Sequence, residues 1–457
     1  MRESSQLSRR SFLRLSAGAA VTGVLAACTP GQPAQQGNAP AAGGESAPAA
    51  GTVTLRFVTN HGEADQPLFQ KVLDEFAARE PDIVIEHLDI AGAEFYNAIN
   101  TQGAAGQLPD VWYTRTFDVP VYASKGWTTN LQPYVDRDAE EVNVDDFWPA
   151  EVAQMQWQGN LYALPYDFSN VGIYYNKNMF DEAGVPYPTN NNWTWDDLLE
   201  VALPFVKQEG SEFTGWGLDM YLWNWVFHGI LYGWGGQLWS EDFKTFLANS
   251  PENEACLQWF NNAREQGLYP EAGAAPQGVN PFAAGLVPMA FQGSWATVAL
   301  RAEIGDRFDF DCVAMPKSPT GESCINAAGG AWGIASNTVD VEAAWTFNKF
   351  LTSTEATNIL ISEPLRSIPG RRSSVPLWNE TASSGGLPPA NVEIFAEQME
   401  IAHAAPYPPY WQDYGRAWDN IIVPYLNGSV EDDAATTLQA FSDEVTRIIE
   451  QNMESLG

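Results

Sequence analysis

Strand and helix patterns alternate along the chain from Val53 onward, and this alternation constrains the fold more than any other feature. Apolar residues at every second position predict a strand that begins at Val53, and a second strand is predicted at 83–90. Between them lies a helical stripe of apolar residues, Leu68, Phe69, Val72, Leu73 and Phe76. A helix around 94–103 then leads to a third strand at 108–113. This β-α-β-α-β order predicts an α/β fold built on a parallel sheet with helices on both faces.

The carboxyl ends of these predicted strands indicate where a ligand would bind. In open sheets of this class, ligands lie in a crevice beyond the carboxyl ends of the strands. Those ends are residues 60–63, 89–91 and 113–118. The chain of 457 residues is longer than one typical domain, so we expect two or three compact units.

The N-terminal segment has the pattern of an export signal. The twin arginine Arg9-Arg10 precedes an apolar stretch at 13–27, which is too short to span a bilayer. This stretch ends in Leu-Ala-Ala before Cys28, which resembles a bacterial lipobox; a plain signal peptide with an incidental cysteine is the alternative. We predict that residues 1–28 are a twin-arginine lipoprotein signal whose Cys28 is lipidated. Residues 29–51, rich in Ala, Gly and Pro, are predicted to be a flexible linker.

This signal and the charge of the chain together limit its surroundings. We expect an exported protein, extracellular or periplasmic, held at the outer face of the cytoplasmic membrane through its lipid anchor alone. The formal net charge of −34 repels phosphate backbones and anionic lipid surfaces. Nucleic acid is therefore not an expected partner.

Sequence signatures of catalysis are missing. The four histidines do not form HExxH, and the chain has no GxSxG, Walker A or GxGxxG motif. We therefore predict no catalytic residue, no metal site and no cofactor. A secreted carbohydrate-active enzyme remains an alternative, because a glycosidase needs only two carboxylates at a set separation, which a sequence does not reveal.

Aromatic residues cluster in two segments. Seven lie within residues 221–239 and five within residues 407–418. Aromatic faces stack on the C–H face of a sugar, while planar polar side chains bind its hydroxyl groups. The same clusters are equally suited to a packed seam between helices.

Several motifs, taken in order, resemble family 1 extracellular solute-binding proteins, the sugar-binding subunits of ABC importers. Pro165-Tyr166-Asp167 is followed by Gly-Ile-Tyr-Tyr-Asn-Lys at 172–177 and Phe-Asp-Glu-Ala-Gly at 180–184. Leu-Pro-Asp-Val at 108–111 matches the third strand of the family. The segment 285–295 matches a further motif, with Pro288 where Ala is usual, and 329–335 resembles the strand that returns to the first lobe.

The resemblance implies a two-lobed α/β fold of the periplasmic-binding-protein type II class, with discontinuous lobes joined by hinge strands. Crossings are expected near Pro165, 326–329 and 366–371. The implied boundaries place lobe 1 at 52–165 and 328–366, and lobe 2 at 166–327 and 367–457. A monomer is expected, which would close on a mono- or oligosaccharide and deliver it to ABC permease subunits. A polyamine, a peptide or another non-sugar solute is the alternative ligand.

The resemblance also implies the residues of the ligand site. Lobe 1 is expected to contribute Glu63 after the first strand and Arg115 and Asp118 after the third. The hinge, lobe 2 and the return crossing are expected to contribute Asp167, Asn170, Trp223, Trp225, Trp295, Trp332 and Trp411. A position in the core is the alternative for each of these tryptophans.

Three cysteines follow the lipobox. Because the chain is predicted to be exported, a disulfide is permitted. Pro316, Pro319 and Gly321 suggest a hairpin loop between Cys312 and Cys324, so we predict a bond between these two. Cys256 is predicted to be a buried, small apolar residue.

Overall fold

The computed structural model describes residues 51–189, 192–274, 278–362, 367–383, 386–403 and 407–453. The predicted signal, the lipidation of Cys28 and nearly all of the predicted linker lie outside these residues. The strands are β1 Val53–Thr59, β2 Ile83–Asp89, β3 Val111–Arg115, β4 Gln156–Trp157, β5 Asn160–Leu161, β6 Ala163–Ser169, β7 Val171–Asn176, β8 Lys207–Glu209, β9 Glu212–Gly215, β10 Met289–Gly293, β11 Phe310–Ala314, β12 Ala328–Ile334 and β13 Ile368–Pro369.

Helices alternate with these strands along most of the chain. They are α1 Gln66–Arg79, α2 Ala93–Ala105, α3 Val119–Ser124, α4 Gln132–Arg137, α5 Ala139–Val142, α6 Pro149–Gln154, α7 Lys177–Ala183, α8 Trp195–Ala202, α9 Asn224–Gly233, α10 Pro251–Glu265, α11 Thr297–Ile304, α12 Val341–Leu351, α13 Thr354–Leu360, α14 Val375–Ser383, α15 Ile394–Met399, α16 Trp411–Ala417, α17 Val423–Leu426 and α18 Ala434–Gln451. A π-helical turn, Trp418–Ile422, connects α16 to α17. No helix within the described ranges is long and apolar enough to cross a membrane.

The first lobe is built on a six-stranded sheet in the order β13-β6-β12-β3-β1-β2. β1 pairs in parallel with β2 and β3, as the β-α-β-α-β pattern predicts. The other half of the sheet is antiparallel, because β12 returns from the second lobe and pairs with both β3 and β6. The predicted parallel sheet is therefore a mixed one.

The third strand begins at Val111, three residues later than predicted. Asp110 precedes it, and its carboxylate accepts hydrogen bonds from the amide of Arg56 (2.8 Å), the hydroxyl of Thr338 (2.7 Å) and the amide of Val339 (3.1 Å). Through these bonds, Asp110 links β1 to the segment 338–339 at the amino-terminal edge of the sheet. The ladder to β1 therefore starts only at Val111.

The second lobe contains a three-stranded antiparallel sheet in the order β10-β7-β11. The chain passes from the first sheet to the second at Asn170, which separates β6 from β7. It returns between β11 and β12. β13 still pairs with β6 in the first sheet, and the chain then reaches the second lobe again, where α15 packs against β11. The residue limits of the lobes given above stay a prediction.

The predicted disulfide is wrong in this structure. Cys256, Cys312 and Cys324 are all free and buried. Cys312 lies in β11, where its thiol donates to the carbonyl of Asn391 at 3.3 Å, whereas Cys324 packs against Gly233 of α9. The segment between Cys312 and Cys324 is not a hairpin but the passage from one sheet to the other. It carries the two thiols into separate apolar clusters.

Candidate ligand-binding cleft

A cleft of 260 Å³ lies where the two lobes meet, beyond the carboxyl ends of β1 and β3. The antiparallel strand β12 begins at the same edge, so its first residues also reach the cleft. One wall comes from the first sheet and its loops, and the other comes from two tryptophans of the second lobe. The lining residues are Asn60, His61, Tyr113, Arg115, Phe117, Asp167, Ser169, Trp225, Trp295, Ala328, Gly329 and Ser367.

The wall from the second lobe is a row of half-buried aromatic rings. Trp225 and Trp295 lie 5.9 Å apart between ring centroids, and Trp223 lies 5.8 Å from Trp295. Tyr221 extends the row, stacked on Trp223 at 4.5 Å and 16°. Trp223 and Trp225 stand at the start of α9, and Trp295 lies in the turn that follows β10. A Cβ at Gly293 would lie only 2.0 Å from the Trp295 ring, so a glycine is required for this turn.

Arg115 is the cation of the opposite wall. Its guanidinium lies 3.6 Å from the centroid of Tyr96 and 4.4 Å from that of Phe117. Its Nε donates to Asp118 at 2.7 Å. Burial by itself lowers the pKa of Arg115, but the Asp118 carboxylate, with smaller contributions from Tyr96 and Tyr122, outweighs burial, and the net pKa is raised. Arg115 is therefore a fixed, charged donor at the end of β3.

Asp167 supplies a negative charge to the cleft. Its Oδ1 accepts a hydrogen bond from the amide of Gly330 at 2.8 Å, across the pairing of β6 with β12. A Cβ at Gly330 would lie 2.2 Å from the Tyr113 ring, so this position also requires a glycine. The charges that line the cleft, Arg115 and Asp167, are opposite in sign. The arrangement favours a neutral ligand with hydroxyl groups and an apolar face.

The structure brings four of the predicted site residues together in the cleft: Arg115, Asp167, Trp225 and Trp295. Two more predicted residues do not line the cleft but contact the residues that do. Trp223 packs against both cleft tryptophans, and Asp118, which is buried, holds the Nε of Arg115.

The remaining four predicted residues do not line the cleft. Glu63 is exposed on the short 3₁₀ turn before α1. Asn170 is buried, donates to the carbonyl of Phe395 at 2.7 Å and accepts from Gln398 at 2.9 Å, so it fixes the crossing to α15. Trp332 is buried in the first lobe against Phe57 and Tyr166.

Trp411 is the fourth of these residues. It is 4% exposed and packs on Tyr407, Tyr414 and His228. It belongs to the seam between α9 and α16, the alternative that the sequence had left open for the aromatic clusters.

Sequence reasoning did not name several residues that line the cleft. Asn60, His61, Tyr113 and Phe117 are among them, and all four lie in the predicted strand ends 60–63 and 113–118. The rule that ligands lie beyond the carboxyl ends of strands therefore pointed to them as a group. Ser169 and Ser367 carried no such signal. Within the described ranges, no group of three or more His, Cys, Asp or Glu side chains is arranged to hold a metal ion.

Two α/β lobes joined by crossing segments, with a ligand-sized cleft between them, are the architecture of a solute-binding protein. The chain belongs to the bacterial extracellular solute-binding proteins, because residues 60–358 match the model of that family. This is an exported family of binding proteins.

Known relatives agree with this assignment. A lactose-binding protein of Rhizobium radiobacter is 20% identical over 81% of this chain and 90% of its own length. An ABC substrate-binding protein of Listeria monocytogenes, solved in complex with cycloalternan, has a TM-score of 0.75 at 22% identity, covering 87% of this chain and 99% of its own. A solute-binding protein of Thermotoga lettingae, bound with alpha-D-tagatose, has a TM-score of 0.70 at 21% identity, covering 87% and 100%.

Proposed function

We propose that this protein captures a neutral mono- or oligosaccharide in the cleft between its lobes and delivers it to an ABC permease, without changing it chemically. The observation that carries the proposal is the aromatic row of the second lobe, which faces polar side chains of the first lobe across the cleft. Relatives described as lactose-binding and structures bound to cycloalternan or tagatose support a sugar as the ligand class.

The wall composition favours a sugar over the alternative ligands. A polyamine site needs uncompensated carboxylates beside aromatic rings. Here Asp167 shares the wall of the first lobe with the cation Arg115, so the cleft is not lined by negative charge alone. Two rings of the row, Trp225 and Trp295, line the cleft and offer more than one stacking surface, which favours a ligand of more than one ring.

Closure is proposed to depend on ligand. Contacts from both walls to one molecule exist only when the lobes are closed, so the sugar stabilises the closed state. We also propose that the lipid anchor at Cys28 holds the protein beside its permease.

Melting temperatures in a screen of sugars, polyamines, amino acids and peptides test the ligand class. A sugar at about 100 times its dissociation constant should stabilise the fold by about 2.7 kcal/mol. We expect a sugar to raise the melting temperature. If a non-sugar class alone raises it, the sugar proposal fails. If the stabilising sugar is consumed on incubation, an enzyme is present instead.

Trp295→Ala tests the site itself. Loss of a stacking surface worth about 1–3 kcal/mol should weaken sugar binding roughly 5- to 150-fold in calorimetric titrations. Trp259→Ala is the matched control, because Trp259 lies on α10, away from the cleft, and donates to Asp196. Equal affinities for the wild type and Trp295→Ala would contradict the assignment.

A further inference from the structure

A second pocket, of 310 Å³, lies in the second lobe and shares no lining residue with the cleft. Its walls are largely apolar: Trp216, Pro270, Pro281, Leu286 and Val287. Leu286 and Val287 come just before β10, whereas Trp295 of the cleft follows that strand. The pocket and the cleft thus lie at opposite ends of β10. A volume of this size is at the lower end of small-molecule sites, which span about 300–1,000 Å³.

One carboxylate, that of Asp219, lines this apolar pocket. The backbone of Asp219 is hydrogen-bonded to β10 through both of its polar groups. The amide of Asp219 donates to the carbonyl of Met289 at 2.9 Å, and its carbonyl accepts from the amide of Phe291 at 2.8 Å. The side chain therefore sits on a rigid part of the lobe. Burial raises the pKa of Asp219 to about 6.

Among the described residues, no side chain donates a hydrogen bond to the Asp219 carboxylate, and no Lys or Arg forms an ion pair with it. A largely buried carboxylate without a counter-charge destabilises a fold, and such groups are concentrated at functional sites. Of the described residues that line the pocket, Asp219 alone carries a carboxylate and Thr214 adds one hydroxyl, which are fewer side-chain oxygens than a metal ion requires. An organic cation satisfies both the charge and the apolar surface, since an indole face attracts an ammonium group.

We propose that this pocket binds a small organic ammonium ion, whose nitrogen contacts the Asp219 carboxylate while its alkyl part lies against Trp216 and Leu286. This site is independent of the sugar cleft. Its occupant therefore does not compete with the sugar.

Calorimetric or NMR titration of the purified protein with n-butylammonium, and with n-butanol as the neutral molecule of equal size, tests the proposal. We expect n-butylammonium to bind at least tenfold more tightly than n-butanol. Asp219→Asn should weaken n-butylammonium binding at least tenfold and leave sugar binding unchanged. Glu212→Gln, which removes one exposed charge of β9 outside the pocket, should have no effect.

A second variant guards against a general effect of Asp219→Asn on folding. Leu286 is 52% exposed at the rim, so Leu286→Lys should fold and place its own ammonium group near Asp219. It should abolish n-butylammonium binding. The proposal is overturned if n-butanol binds equally well, if Asp219→Asn retains the affinity, or if Glu212→Gln weakens binding as much as Asp219→Asn does.

Discussion

Glu151, on α6, is a carboxylic acid enclosed within the fold. It is fully buried, and neither carboxyl oxygen has a hydrogen-bond partner among the described residues. Burial, with a smaller contribution from the charge of Asp167, raises the pKa of Glu151 well above its usual value. Burial therefore favours the neutral form of this carboxyl group, which lies on a helix packed against the strand β6 that crosses to the second lobe.

Glu151→Gln tests this assignment through the pH dependence of stability. Below about pH 4.3 the side chain is protonated in both the folded and the unfolded chain. As the pH rises, the unfolded chain loses this proton and the folded chain keeps it. The free energy of unfolding of the wild type should therefore fall by about 1.4 kcal/mol per pH unit until the pH reaches the pKa of Glu151 in the folded chain. The free energy of unfolding of Glu151→Gln should not fall in this way, because its side chain does not titrate.

Urea unfolding at pH 4, 6 and 8 measures the free energies of unfolding of the wild type and of Glu151→Gln. The two proteins should be about equally stable at pH 4, and Glu151→Gln should be the more stable at pH 8. Glu140→Gln, at an exposed position of α5, serves as the control and should follow the wild type. A constant difference between Glu151→Gln and the wild type at all three pH values would show that Glu151 titrates normally in the fold.

At the scale of elements, the turn after β3 is joined to a helix of the second lobe. Phe117 packs on Tyr407 and Trp411, with ring centroids 5.8 and 5.7 Å apart. The side chain of Gln412, on α16, donates to Asp118 at 3.3 Å. Because Asp118 also holds Arg115, this contact between the lobes is coupled to the position of a cleft residue.

Gln412→Ala should therefore favour the open arrangement. A hydrogen bond worth about 1 kcal/mol that forms between the lobes adds to the stability of the closed state. Its loss should weaken sugar binding about fivefold, although Gln412 does not line the cleft. Gln439→Ala, which removes an exposed bond to Asn249 on the same lobe, is the matched control. Identical sugar affinities for Gln412→Ala and Gln439→Ala would argue against a role for this contact in closure.

At the scale of the whole molecule, the function depends on where the folded lobes are held. Cys28 is predicted to carry the lipid, and the segment 29–51 is predicted to be the tether. Tethering raises the local concentration of a binding protein beside a membrane partner.

Cys28→Ala should release the protein from the membrane fraction into the soluble fraction, because no acyl chain can then be attached. Fractionation followed by immunoblotting measures this distribution. The released protein should still bind sugar, since the cleft lies far along the chain from Cys28. Unchanged membrane retention of Cys28→Ala would remove the lipid anchor from the proposed function.

Local patterns predicted much of this fold because strands and helices depend on residues near one another in sequence. The alternation after Val53 and the stripe from Leu68 to Phe76 depend on side-chain periodicity, and both elements are present. The motif around Trp295 also predicted a residue of the cleft from local sequence, because the short turn after β10 is enough to position this ring.

Only the tertiary structure determined those features that depend on contacts between residues far apart in the sequence. Trp332 and Trp295 are alike as residues, yet Trp332 is covered by Phe57 and Tyr166, whereas Trp295 faces the cleft. The antiparallel half of the first sheet and the separation of Cys312 from Cys324 both follow from the passage of the chain between lobes. Periodicity shows which side of an element is apolar, but only the packed structure determines what covers that side.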